Sequence, residues 1–130
     1  MALRDLILSA ADLKPVAEVV SEWGCTVYVR PMSAADRDAW DFEQYEALDA
    51  AKQRGDKYGG SRGFRARLLV RTLCDEAGAA IFGPADIAAL DAKSAAVLDR
   101  LYVLAQRVNG LGAREVAALA GESAAAPSGS

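Results

Sequence analysis

The sequence predicts a mainly α-helical fold with a small N-terminal β-hairpin, an α+β chain forming a compact domain of about five or six helices. Three observations carry that expectation. Apolar residues recur at helical spacing over residues 94–109: Val97, Leu101, Leu104 and Val108 form a stripe, and Asp99, Arg100, Gln106 and Arg107 face away from it. Two β-branched runs, VAEVV and CTVYVR, bracket the turn SEWG. That is a hairpin signature in which Gly24 is free to take positive φ. Serine caps and Gly or Pro stops punctuate the remainder.

Residues 3–13 read as a short helix, with Leu3, Leu6, Ile7, Ala10 and Ala11 on one face and Pro15 as its stop. The hairpin spans residues 16–30. On its second strand Cys25, Val27 and Val29 share a face that should be buried, while Thr26, Tyr28 and Arg30 share the other. Ser33 is a good N-cap for a helix over 34–53, and Asp36 sits where negative charge is favoured. That helix carries Asp36, Asp38, Asp41, Glu43, Glu46 and Asp49. Trp40, Ala47, Leu48 and Ala51 lie on one side of it, Phe42 and Tyr45 on another. Such a mixed pattern predicts packing along an edge of the core.

RGDKYGGSRG, residues 54–63, sets four glycines among charged residues. It reads as an exposed hinge or binding loop, since neither flank could fold alone. A helix is expected over 64–77. Ala66, Leu69, Val70, Leu73, Cys74 and Ala77 fall on one arc, Phe64 and Leu68 lie outside it, and Gly78 closes the end. Apolar groups on two sides imply burial between neighbours. Phe82-Gly83-Pro84 introduces a short helix over 85–90. Ser94 caps the helix over 94–109, whose stripe is thickened by Leu98 and Ala105. Asn109-Gly110 stops it, because both residues tolerate the left-handed conformation. AREVAALA, residues 113–120, makes about two turns and is marginal alone. Val116 and Leu119, with Leu111, therefore need something to dock on. Residues 1–120 are expected to form a single globular domain. Residues 121–130 have little to bury and should be a disordered tail.

Composition excludes several function classes. The 130 residues, 52% of them hydrophobic and 25% charged, fit one ordinary globular domain. No apolar run approaches the ~20 residues of a bilayer span, so no membrane partner is expected. The first residues lack the basic and long apolar regions of a signal peptide. Cys25 and Cys74 lie off any metal-ligand spacing and read as reduced cysteines. A net charge of -3 argues against a nucleic-acid binder. The chain has no histidine, which removes the commonest general base and metal ligand. Gly59-Gly60-Ser61 lacks the P-loop pattern. No catalytic residue, metal or cofactor is expected.

Two constellations remain. Arg62, Arg65, Arg67 and Arg71 cluster across one loop and helix. They form either an internal charge network, with Asp75 or the acidic helix as partner, or a patch for an acidic protein. Trp23 occupies a hairpin turn, where it either folds back onto the core or stays outward as an interface anchor with Tyr28 beside it.

SEWGCTVYVRPMSAADRDAW, RARLLVRTLCDEAGAAIF, KSAAVLDRLYVLAQRVNGLG and the AAPSGS ending together resemble the small tail assembly chaperones of long-tailed bacteriophages. The match is one of pattern and order along nearly the whole chain. It implies a non-enzymatic assembly factor that binds the hydrophobic tape measure protein, keeps it soluble and helps recruit tail tube protein. It also implies action in the host bacterial cytoplasm and absence from the finished virion. Further copies of the chain are an additional candidate partner. The residues offered for contact are Trp23, Tyr28, Arg65, Arg67, Arg71, Leu111, Val116 and Leu119. The rival expectation is a structural virion protein, such as a head-tail connector or tail completion subunit.

Overall fold

The computed structural model describes residues 2–57 and 59–111. The expected helix over 113–120 and the expected tail over 121–130 lie outside the described residues.

The described elements are α1 (Leu3–Ser9), β1 (Val16–Val20), β2 (Cys25–Val29), α2 (Ala34–Gln53), α3 (Phe64–Thr72), β3 (Leu73–Cys74), α4 (Ile87–Asp91) and α5 (Ala95–Val108). They make an α+β fold. β1 and β2 pair antiparallel from Val16↔Val29 to Val20↔Cys25. A 3-10 turn over Ser21–Trp23 joins them, and Gly24 closes it with φ 67°. A side chain there would be strained, as the sequence anticipates.

β3 is a correction. The arc of apolar residues predicts helix as far as Ala77, but α3 stops at Thr72. Leu73 and Cys74 then pair antiparallel with Val29 and Tyr28, which makes β2 the central strand. A bare edge of β2 would leave backbone groups unpaired, and two residues of extended chain satisfy them. The buried Thr72 hydroxyl donates back to the Leu68 carbonyl, 2.9 Å away. Leu73 and Cys74 are buried from the strand, as the arc required, whereas Ala77 is exposed. Gly78 caps no helix. With φ 92° it belongs to a turn in which the Asp75 carboxylate accepts from the amides of Ala77 and Ala79, both at 2.9 Å.

Smaller corrections have similar causes. α1 ends at Ser9 and not near Pro15, and it buries no residue, so nothing extends it. Cys25 is exposed although Val27 and Val29 on its face are buried, because it sits at the turn end of β2, outside the core cluster. Leu68, expected outside the buried arc, is fully buried because α3 is covered on both sides. A 3-10 turn, Pro84–Asp86, precedes α4, and Asp86 caps it by accepting from the Gly83 amide at 2.8 Å.

The core cluster draws on Val20, Val27 and Val29 of the sheet, Ala66, Leu68, Leu69 and Val70 of α3, Leu90 of α4, and Val97, Leu98, Leu101 and Ala105 of α5. α2 lies outside this set: its one buried residue is Ala51, and Trp40 packs at the margin. Gly60 holds the loop tight against it, since a Cβ there would come within 3.0 Å of the Leu48 backbone. Asn109 ties the end of α5 to the start of α2. Its Oδ1 accepts from the Met32 amide at 2.6 Å, and its Nδ2 donates to the Ala105 carbonyl at 2.9 Å. Asn109 keeps φ -101°, so only Gly110, at φ 68°, takes the left-handed stop.

Candidate partner-binding surfaces

Three features of the described residues stand out from the packed body. The first is the seam between α2 and α3. Arg71 of α3 forms a two-pronged pair with Glu43 of α2, Nε to Oε1 at 3.0 Å and the second nitrogen to Oε2 at 2.6 Å. Asp36 lies 4.0 Å from the same guanidinium. The hydrogen bonds that Arg71 donates to Glu43 raise its pKa above the ordinary value. Arg67 donates to the Gln44 side chain at 2.9 Å and to the Gly60 carbonyl at 3.1 Å. Burial lowers its pKa. Arg65 pairs with Asp99 of α5 and lies over the Phe64 ring, which meets Tyr102 edge-on at 5.0 Å. Arg62 faces Asp56 at 3.6 Å. The arginine cluster is thus an internal network, and Arg71 takes its carboxylates from the acidic helix. Asp75, one turn on, caps its own loop instead.

The second feature is a pocket of about 280 Å³ lined by Trp23, Phe82, Ala89, Leu90 and Lys93. Its walls are almost wholly apolar, and the Lys93 side chain forms one of them. Trp23 is half-buried: it packs on the core and also faces this pocket. The tip of the hairpin is pinned nearby, where Arg100 of α5 holds Glu22 through two hydrogen bonds of 3.0 Å. That contact lowers the Glu22 pKa to about 2.

The third feature is exposed apolar helix. α1 leaves Leu3, Leu6, Ile7 and Leu8 open to solvent. On α2, Phe42 is 60% and Tyr45 70% exposed. Sequence reasoning left these two out of the contact set. The available signal was their place on a side of the helix away from Trp40, Ala47 and Ala51.

A family model described as phage tail assembly chaperone matches residues 2–118 of the chain. The chain belongs to the phage tail assembly chaperone family. Among solved structures, the tail assembly chaperone of bacteriophage HK97 is similar in fold, with a TM-score of 0.55 and 20% sequence identity, over 82% of this chain and 91% of that one. A search of curated proteins gives no significant match.

In this tail assembly chaperone relative, the residues offered by the sequence do not converge on one surface. Trp23 faces the apolar pocket. Tyr28 is half-buried in the middle of the sheet, between Ala17 and Cys74. Arg65, Arg67 and Arg71 sit in the network around α3. Leu111 is half-buried against the core at the end of α5. Val116 and Leu119 lie outside the described residues. Among the described residues, no cluster of His, Cys, Asp and Glu could hold a metal ion, and no helix is long and apolar enough to cross a membrane.

Proposed function

We propose that this chain binds the tape measure protein of its phage, keeps that long apolar chain soluble until the tail is built, and helps bring tail tube subunits to it. In this reading it acts in the host cytoplasm, performs no reaction and leaves before the particle is finished. The observation that supports the reading is unpartnered apolar surface on a chain of this family. α1, the Trp23 pocket and the outer side of α2 all present apolar groups that the described residues leave uncovered. A holdase needs such surface, because it acts by binding a client's exposed state. Trp23, Leu111, Val116 and Leu119 supply apolar contact in this proposal. Arg65, Arg67 and Arg71 brace the helices that carry it, and Tyr28 supports the sheet beneath.

The test is mass spectrometry of purified particles beside the lysate that produced them. Peptides of this chain abundant in lysate and missing from particles are the expected result. Several copies per particle would overturn the chaperone role and make the chain a structural tail or connector subunit. Soluble expression of the tape measure protein, with and without this chain, checks the client. Val116→Asp and Leu119→Asp are expected to abolish that solubilisation while leaving the helical circular dichroism of the chain intact.

A further inference from the structure

The two sides of α2 differ in a way that specifies what the outer side is for. Successive residues turn by about 100° around a helix, so residues three and four apart share a side. Asp36 and Glu43 point at α3, where Arg71 holds both. Asp38, Phe42, Tyr45 and Asp49 follow one row on the opposite side, flanked by Asp41 and Glu46, and all six are exposed. From Asp38 to Asp49 the helix has no lysine or arginine. Among the described residues, no cation lies within ion-pairing distance of Asp38, Asp41, Glu46 or Asp49. The inner carboxylates are neutralised by this chain, whereas the outer ones, of which Asp49 accepts a hydrogen bond from the Gln53 side-chain amide at 3.2 Å, keep their charge around two exposed aromatic rings.

The geometry points to the outer face of α2 as a docking site for an amphipathic helix of another protein, one whose apolar stripe is flanked by lysine or arginine. Phe42 and Tyr45 supply the apolar anchors, since aromatic residues carry much of the energy of such contacts. Asp38, Asp41, Glu46 and Asp49 select basic flanks and steer the encounter. The row from Asp38 to Asp49 is about 18 Å long at 1.5 Å per residue, which suits three to four turns of a partner helix. A second copy meeting this face with its own α2 does not fit. The same face on another copy would oppose carboxylates to carboxylates. The arginines Arg62, Arg65, Arg67, Arg71 and Arg100 are already held by the chain's own carboxylates or carbonyls. On α1 the sole cation, Arg4, lies beside Asp5 at 3.6 Å. The inference deepens the chaperone reading by naming the chemistry of the client segment, and its test is independent of the particle measurement.

The test uses the full chain and synthetic helical peptides of about 14 residues. One peptide has a leucine stripe with lysine flanks, the second the same stripe with glutamate flanks, and the third lysine flanks around a serine stripe. Fluorescence anisotropy measures affinity, and amide chemical shifts locate the contact. The lysine–leucine peptide is expected to bind, to shift the amides of α2 and to weaken as salt rises. Phe42→Ser with Tyr45→Ser should weaken it about tenfold or more. Asp38→Asn with Asp41→Asn and Glu46→Gln should weaken it and flatten its salt dependence. Circular dichroism should be unchanged in both variants, because the side chains replaced are exposed. Equal binding of the glutamate–leucine peptide, no binding of either leucine peptide, or binding indifferent to the Phe42 and Tyr45 changes would each overturn the proposal. So would sedimentation showing that the outer face joins two copies of the chain.

Discussion

Arg71 reaches from α3 to two carboxylates of α2, and the geometry of its fork decides what a substitution there does. Two parallel N–H···O bonds to Glu43, at 3.0 and 2.6 Å, use the guanidinium plane in a way a lysine cannot reproduce. Arg71→Ala would leave Glu43, which is more buried than exposed, without its cation. A loss of roughly 1–3 kcal/mol is expected in urea unfolding, and Arg71→Lys should recover only part of it. Full recovery by lysine would mean that charge alone matters and the fork does not. Glu22 is a different kind of residue. Its folded pKa is depressed from 4.5 to about 2, chiefly by the Arg100 hydrogen bonds. A depressed carboxylate contributes stability above its unfolded pKa and loses it as pH falls through the folded one. The gap in thermal midpoint between the parent chain and Glu22→Gln should therefore be constant above pH 4.5 and close as pH falls toward 2. The pair is exposed, so the gap is small and shrinks in salt. A gap unchanged across that window would break the link between this carboxylate and acid stability.

At the scale of elements, legibility in the sequence follows from where the determining forces lie. α2 and α5 are bounded by local chemistry. Ser33 accepts from the Asp36 amide at 3.1 Å and Ser94 from the Val97 amide at 3.4 Å, and both caps are visible as residue types. The turn at Gly24 is equally local. β3 is not: Leu73 and Cys74 leave the helix because a strand more than forty positions earlier needs an edge partner, and no window around them records that. α1 errs in the other direction, since its apolar period is helical but nothing in the described chain covers it. Leu6→Glu and Ile7→Glu should accordingly change stability by no more than about 0.5 kcal/mol. A larger loss would show that α1 packs on the body in solution. Asn109 was legible as a helix stop and not as a clamp. Its side chain joins α5 to the chain entering α2, a contact between positions 77 apart in sequence. Asn109→Ala should lower stability by about 1–3 kcal/mol, because the Met32 amide loses its acceptor. Asn109→Gly, offering no acceptor either, should not do better. Recovery by glycine would return the position to a simple stop.

For the whole molecule, the decisive fact is the unequal share of elements in the core. The sheet, α3, α4 and α5 pack through one cluster, while α2 contributes Trp40 at its margin and is held further by the Arg71 fork, the Arg67–Gln44 hydrogen bond, the Asn109 clamp at its entry and the close approach of Gly60. This is also why the contact surface was less legible than the fold. The arginine cluster was visible as a pattern, but only three dimensions show that Arg71 takes the inner carboxylates of α2 while the outer ones have no ion pair among the described residues. Elements with little buried apolar contact open at lower free energy than the rest. Native-state hydrogen exchange should therefore find the amides of α2 opening below the global free energy and those of α3 and α5 opening at it. Leu101→Ala, in the cluster, should lower every protected amide together by about 2–5 kcal/mol. Arg71→Ala should speed exchange in α2 well before it affects α5. The lysine–leucine peptide, bound to the outer face, should do the opposite and slow α2 selectively, because a partner that binds the helical form alone stabilises it by mass action. If α2 and α5 share one opening free energy and one denaturant slope, the molecule is a single cooperative unit. Peptide binding would then protect all helices alike, and α2 would be a fixed platform in place of an element that its client orders.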